Sequence, residues 1–241
     1  MHSNAFFCST TAAQLYGAPL PRQLEGTGPL HVANLAPARA PEGRGIAGHQ
    51  ITVRDDVRER HGLRVSSPER TWCDLGAVLS VENLVAVGDF LIHHELPMSS
   101  AEALTYAITT TRVRRGVGRL TEAVSLLDNR AESRRESLLR VALMRQGITG
   151  LSINHWIVLP GVHTRYRADL ALVELKIAIE YQGEHHHDLE EWRKDMTRKS
   201  RLRAHNWYVF EVNLLDLDDP AELAQRLRLV IEQRARALAL G

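Results

Sequence analysis

The chain has 241 residues, 44% hydrophobic and 24% charged, an ordinary globular composition that can bury one large core or two smaller ones. Its formal net charge of +1 balances 30 basic against 29 acidic side chains, so bulk charge argues neither for nor against a nucleic-acid partner. Lys176, Lys194 and Lys199 are the only lysines, so the positive charge is nearly all arginine; that composition suits bidentate phosphate contacts and equally fits a nucleotide bias of the genome.

The start, MHSNAFFCSTTAAQLYG, lacks the basic region and long apolar core of a signal peptide. The longest apolar run, LVAVGDFLI, is broken by Asp89 and is too short to span a bilayer. With only Cys8 and Cys73 there is no disulfide framework. The expectation is a cytoplasmic protein with no membrane partner.

In chain order, STTAAQLYG reads as a short helix, LHVANL and HQITV as strands, and PARAPEGRG between them as a turn-rich loop. SSPERTWCDLGAVLSVENLVAVGDFLIHH opens on a Ser-Pro helix start with Glu69 in the first turn. Its apolar residues Trp72, Leu75, Leu79, then Leu84, Val87 and Leu91, predict two helices broken near Ser80, with Cys73 a small buried side chain. SSAEALTYAI continues as a helix. TTTRVRRGVGRL interrupts with two glycines and four arginines, among them Arg112, Arg114 and Arg115, and TEAVSLLDNR resumes a helix. A domain junction is expected at 128–131, dividing the chain into 1–130 and 131–241.

Beyond it, AESRRESLLRVALMRQG reads as a helix with Ser133 and Glu136 at capping-box spacing and Gly147 as its stop. NHWIVL, YRADLALV with ELKIAIEYQG, and NWYVFEVN read as strands, the middle two as an antiparallel hairpin. The basic helix LEEWRKDMTRKSRLRAH precedes the last strand, and PAELAQRLRLVIEQRARAL follows it. The fold class expected is therefore α/β: a mixed sheet flanked by helices at the C-terminus, after a smaller, mostly helical α+β N-terminal domain.

A hairpin turning between Glu174 and Leu175 places Asp169 directly opposite Glu180, with Cβ atoms about 4.5–5.5 Å apart. Like charges in that position ask for a cation. Strand alternation puts Gln182 on the same face as Glu180, and such hard oxygen ligands favour Mg2+ or Mn2+. The bland alternative is a strand-end polar residue and a solvated face. The run His185, His186, His187 has three readings: a structural zinc site, which needs four N or S ligands at defined spacing; a solvated loop; or one imidazole, His186, beside a metal as general base or phosphate partner. On the basic helix, Asp195, Arg198 and Leu202 share a face, so Asp195 can orient Arg198 toward a phosphate; Arg193, Lys194, Lys199, Arg201 and Arg203 supply further cations. A charge-laced solvated helix is the alternative.

With these residues in place, the segment from about Ala131 onward resembles the nuclease-like domains related to the very-short-patch-repair (Vsr) endonucleases, within the PD-(D/E)XK superfamily. Glu136 in ESLLR, Asp169 in YRADLA, the strand IAIEYQGEHHH, and Asp195, Arg198 and Leu202 before HNWYVFEV carry the likeness. The resemblance implies a restriction-endonuclease-like core and a Mg2+- or Mn2+-dependent DNA endonuclease. It implies Asp169 and Glu180 as metal ligands, Glu136 approaching the same site, His186 as general base or phosphate contact, and Arg198 countering developing charge. It also implies a lysine at position 182, or an aspartate in close relatives, where this chain has Gln182. STTAAQLYGAPLP through SSPERTWCDLGAVLSVENLVAVGDFLI resembles, more distantly, the body of abortive-infection type IV antitoxin (AbiEi-like) proteins, here without an evident winged helix. The alternative expectation is a non-catalytic DNA-binding or antitoxin-type regulator on a nuclease scaffold; nucleases of this type also raise the option of a homodimer. A third class, a protein-interaction module, would use the two helices from Pro68 to His93, whose apolar stripe reads first as core.

Overall fold

The computed structural model describes residues 5–26, 28–52, 57–110, 115–182 and 189–239. The chain is mixed α/β with two mixed sheets, and it divides into two compact units, Met1–Arg134 and Arg135–Gly241. The N-terminal unit, expected to be the smaller and mostly helical, is the longer one and contains a five-stranded sheet.

In that unit, strand β1 (Phe6–Phe7) leads into helix α1 (Ser9–Tyr16), β2 (Leu30–Leu35), β3 (Ile46–Ile51) and the hairpin β4 (Val57–Arg60) and β5 (Leu63–Ser66). The sheet order is β3-β2-β1-β5-β4, with β2 parallel to β3 and β1 parallel to β5. The β4–β5 hairpin escaped the sequence reading although His61-Gly62 marks it. Both residues have positive φ, 50° and 72°, which the tight turn between right-twisted strands requires.

Helices α2 (Pro68–Leu75), α3 (Val81–Leu91), α4 (Ala101–Thr110) and α5 (Val117–Val124) follow. The break near Ser80 is where it was expected, and Trp72, Leu75, Leu79, Leu84, Val87 and Leu91 are each at most 2% exposed. The SPERTWCDL motif is held together by its own polar groups. Ser67 caps α2 through the Arg70 N–H at 3.1 Å, Glu69 accepts from the Ser99 hydroxyl at 2.7 Å, and Arg70 pairs with Asp74 at 2.8 Å. Thr71 meets the Ser66 hydroxyl, and the Trp72 indole donates to the Leu84 carbonyl at 2.9 Å.

The expected helix TEAVSLLDNR is displaced: α5 begins at Val117 and ends at Val124. Asp89, buried in α3, accepts the Asp128 N–H at 2.8 Å, beyond the end of α5. At the start of α5, Gly116 has φ 79°, and a Cβ there would lie 1.9 Å from the Gly76 carbonyl oxygen. The two glycines let the end of α2 and the start of α5 meet backbone to backbone.

The C-terminal unit comprises α6 (Arg134–Arg145, its first residue at the division), β6 (Ser152–Ile157), β7 (Tyr166–Leu172), β8 (Ile177–Tyr181), α7 (Leu189–Ala204), β9 (Tyr208–Val212) and α8 (Pro220–Ala239). The sheet runs β6-β7-β8-β9: the first three strands are antiparallel, and β9 lies parallel to β8 with α7 as the crossover. Leu202, fully buried, seats α7 in a cluster with Ile157, Leu159, Tyr166, Ala168 and Ala178. Burying one such leucine contributes roughly 1.5–3 kcal/mol, which fixes the rotation of the helix and so the direction of its charged side chains.

The Gly116 contact generates a test by paired substitution. Gly116→Ala should lower stability in chemical denaturation by at least about 1 kcal/mol, from the left-handed backbone alone. Gly118→Ala, with nothing within 4 Å of its Cβ, should be neutral or raise stability by about 0.5 kcal/mol through helix propensity. Equal effects at the two positions would contradict the close backbone approach.

Candidate active site

The register of the β7–β8 hairpin is the one the turn position predicts: Leu170 pairs with Ile179, Ala171 with Ala178 and Leu172 with Ile177. The next position along each strand is Asp169 and Glu180. Here the Tyr181 N–H turns to the Asp169 carboxylate, donating to Oδ2 at 2.8 Å. Asp169 thus stands at the point where a side chain takes over from the backbone ladder.

Burial pushes the Asp169 carboxyl above the ordinary carboxylate range, and the charges of Glu136 and Glu180 add to the shift; the Tyr181 N–H and Arg167 oppose it. Glu136 reaches this neighbourhood from the first turn of α6, where it is 8% exposed and accepts a hydrogen bond from the Asn154 amide at 2.8 Å. Asn154, on β6, has φ 48°, a conformation asparagine tolerates and β-branched residues do not.

Glu180 has the opposite kind of surroundings. Both of its oxygens accept from Arg198, Oε1 from Nη1 and Oε2 from Nη2, in a bidentate pair over a carboxylate only 7% exposed. The cation that two neighbouring strand carboxylates ask for is therefore supplied to Glu180 by the protein itself, from α7. Asp195 holds the other edge of the same guanidinium, accepting from Nε at 3.1 Å and Nη2 at 2.6 Å. This is the orientation of Arg198 by Asp195 that the helix spacing predicts.

Lys199 extends the network. Its ammonium pairs with Asp195 at 2.6 Å and with Glu211 on β9, and Glu211 also accepts from the Gln182 amide at 2.9 Å. Glu180 and Glu211 are partners in the parallel ladder. Burial works against the Lys199 and Arg198 charges, but hydrogen bonds and attraction from the carboxylates outweigh it and raise both above their ordinary values. Asp195 shows the converse: burial raises it, and the bonds from Lys199 and Arg198 more than reverse this and hold it low.

Asp169, Glu180, Gln182, Arg193, Lys194, Asp195, Arg198 and Arg201 all line one cleft of about 820 Å³, together with Thr164, Tyr166, Arg167, Tyr181, Glu190 and Thr197. Arg201 donates to the Tyr166 hydroxyl at 3.0 Å, and Lys194 pairs with Glu190 at 2.7 Å. Arg165 and Arg167 lie over the Trp156 ring, at 4.0 and 5.6 Å from its centroid. His186, with its neighbours His185 and His187, lies outside the described residues, as do Arg112 and Arg114; Arg115 is an exposed residue of the N-terminal unit.

One expectation needs correction in detail. Gln182 shares the strand face of Glu180, but its amide is committed to Glu211 rather than standing free beside Glu180. Among the described residues, no three His, Cys, Asp or Glu side chains come together in a way that could hold a metal ion. An ion here would have two carboxylates, with water and substrate oxygens completing the shell, which is the usual complement for Mg2+. Glu211, Arg167 and Asn154 were not singled out from the sequence. The signal for Asn154 was an asparagine inside a strand pattern; for Glu211 there was none without the β8–β9 pairing.

No family model matches the chain, and no solved structure matches it significantly. Over 229 residues, covering 94% of this chain and 81% of theirs, it is 26% identical to two uncharacterised proteins of Mycobacterium tuberculosis, MT2308 of strain CDC 1551 and Rv2248 of strain H37Rv.

The crowding at Asp169 has a measurable consequence. Because its proton is held more tightly in the folded chain than in the unfolded one, the stability linked to it is complete at acid pH. That stability is lost as pH rises through the raised pKa. Asp169→Asn should therefore stabilise the protein at neutral pH in chelator by about 0.5 kcal/mol, the scale of a like-charge cross-strand contact, with the difference vanishing toward pH 3. A variant less stable than wild type at neutral pH would mean that the carboxylates do not repel.

Proposed function

We propose that the C-terminal unit is a metal-dependent nuclease-like domain that binds nucleic acid, DNA foremost, and hydrolyses its phosphodiester bonds. The observation that carries this reading is the coincidence, in one cleft, of the Asp169 and Glu180 carboxylates with Arg167, Arg193, Lys194, Arg198 and Arg201. Anionic residues that repel one another fit a divalent cation, and an arginine-lined wall fits a phosphate backbone. The mixed sheet with a helical crossover after the carboxylate strand supports the restriction-endonuclease-like core that the resemblance implies.

The residues present fit Mg2+ or Mn2+ held by Asp169 and Glu180, with Glu136 adding charge behind them. Such an ion would polarise the scissile phosphate and lower the pKa of its bound water. The chain's own contributions are separate from that. Arg198, held in plane by Asp195, would offer its Nη1–Nη2 edge to a phosphate on leaving Glu180, and Arg193, Lys194 and Arg201 attract and align the strand. The N-terminal unit, on its distant likeness to AbiEi-type antitoxins, would serve as an accessory or regulatory region.

A second reading is supported by two contacts: the Arg198 pair occupies both Glu180 oxygens, and Gln182 is neutral and turned to Glu211. A chain with these features also fits a DNA-binding scaffold that has lost catalysis.

Incubation of purified protein with supercoiled plasmid in Mg2+ or Mn2+ separates the two. Nicking is expected, lost on chelation and reduced at least about a hundredfold in Asp169→Ala, the scale on which a positioned catalytic group acts. Binding should weaken steeply with salt, as phosphate contacts release counterions. Salt-dependent binding without cleavage of any DNA form would favour the scaffold; salt-independent affinity would remove both readings.

A further inference from the structure

Arg198 is shared between two carboxylates in a way that leaves little of it unused. A guanidinium has five N–H donors. In this structure Nε and Nη2 reach Asp195, while Nη2 and Nη1 reach Glu180, so four donor contacts are committed and one Nη1 hydrogen remains for an incoming group. The two edges differ in kind. Asp195 lies three residues away on the same helix and moves with Arg198, whereas Glu180 belongs to the sheet. Letting go of Glu180 leaves the guanidinium still anchored.

The charge balance around Glu180 makes the exchange partner predictable. Glu180, Asp195 and Glu211 face Arg198 and Lys199, an excess of one negative charge, and on the adjoining side Asp169 and Glu136 are set against Arg167. If a phosphate drew Arg198 away, Glu180 would be a buried carboxylate without a counterion, beside a second carboxylate already crowded. That state is strongly unfavourable unless a cation enters with the phosphate. A divalent ion arriving alone meets the converse obstacle, because both Glu180 oxygens are already on Arg198.

We propose that Arg198 gates the metal site: it closes Glu180 while the cleft is empty, and a nucleic-acid phosphate that takes over the guanidinium opens Glu180 to a divalent cation. Phosphate and metal then bind with positive coupling, and each raises the affinity for the other by the same factor. The proposal rests on the nuclease reading of the cleft and adds an order to it. The protein without nucleic acid is a poor metal binder, and the complete site assembles on the substrate.

The test uses the full chain with a short phosphorothioate DNA oligonucleotide and Mn2+. Oligonucleotide affinity is read by fluorescence anisotropy at constant ionic strength, and Mn2+ binding to the protein alone by its electron paramagnetic resonance signal. For wild type, Mn2+ should tighten oligonucleotide binding by about tenfold or more, against the weakening that screening alone would give. Arg198→Gln should bind Mn2+ more tightly than wild type in the absence of DNA and should lose the coupling. Arg198→Lys, which keeps a charge but not the two-edged geometry, should fall between them. If Arg198→Gln does not fold, the wild-type coupling decides. Wild type and Arg198→Gln binding Mn2+ equally well without DNA would overturn the gate and leave the nuclease reading standing. No Mn2+ bound by either protein, with or without DNA, would overturn both.

Discussion

The Arg198 guanidinium is the contact on which the C-terminal unit depends. Three adjacent strands bring carboxylates to the neighbourhood of α7: Asp169 from β7, Glu180 from β8 and Glu211 from β9. Left to themselves they would repel across a sheet that hydrogen bonding forbids to spread. Arg198 and Lys199, one residue apart on α7, are the cations that offset Glu180 and Glu211, Arg167 is the one that acts on Asp169, and Asp195 ties the two α7 cations to one place. Removing a charge from such a network costs more than the pair contributes when intact, because a buried carboxylate is left without a partner.

That network depends in turn on how α7 is seated. A helix with so many basic residues has little reason to hold one rotation through charge alone, since exposed ion pairs contribute only a few tenths of a kcal/mol to about 1 kcal/mol. Leu202 supplies the constraint. Buried completely against Ala178 and its neighbours, it sits four residues beyond Arg198 and sets that side chain over β8, while Lys199 faces β9. An apolar contact at one end of the helix thus decides which carboxylate each cation meets.

Much of this was legible in the sequence because it is local. The β7–β8 register follows from one turn position, the pairing of Asp195 with Arg198 from helical spacing, and the break before Ser80 from the capping serine and its apolar flanks. The start of α2 was legible for a similar reason: the Ser-Pro onset is local, and the Ser67 cap and the Arg70–Asp74 pair lie within one or two turns of it. What escaped depended on contacts between segments distant in sequence. Glu211 acquires meaning only when β9 is laid parallel to β8, a pairing set by the crossover and not by either strand. Beyond the early end of α5, the Asp128 N–H is taken by Asp89, a buried residue of another helix. The sequence predicted a cation at Glu180 and placed it in solution as a metal; the arginine that provides it was identified only as a phosphate partner, because helix periodicity says nothing about which strand lies beneath.

Gln182 is where these considerations meet. A lysine there would stand on the face of Glu180 and compete with Arg198 for its carboxylate, and an aspartate would add a further charge to an already negative row. Glutamine does neither. Its amide donates to Glu211, which also receives Lys199, so position 182 is joined to the positive end of the network without altering its charge. The neutral residue is thus compatible with a site whose cations reside on α7 and shift between protein carboxylates and a phosphate. In such a site the strand provides the fixed anions, the helix provides the movable countercharge, and a side chain at 182 need only keep Glu211 in place to receive Lys199.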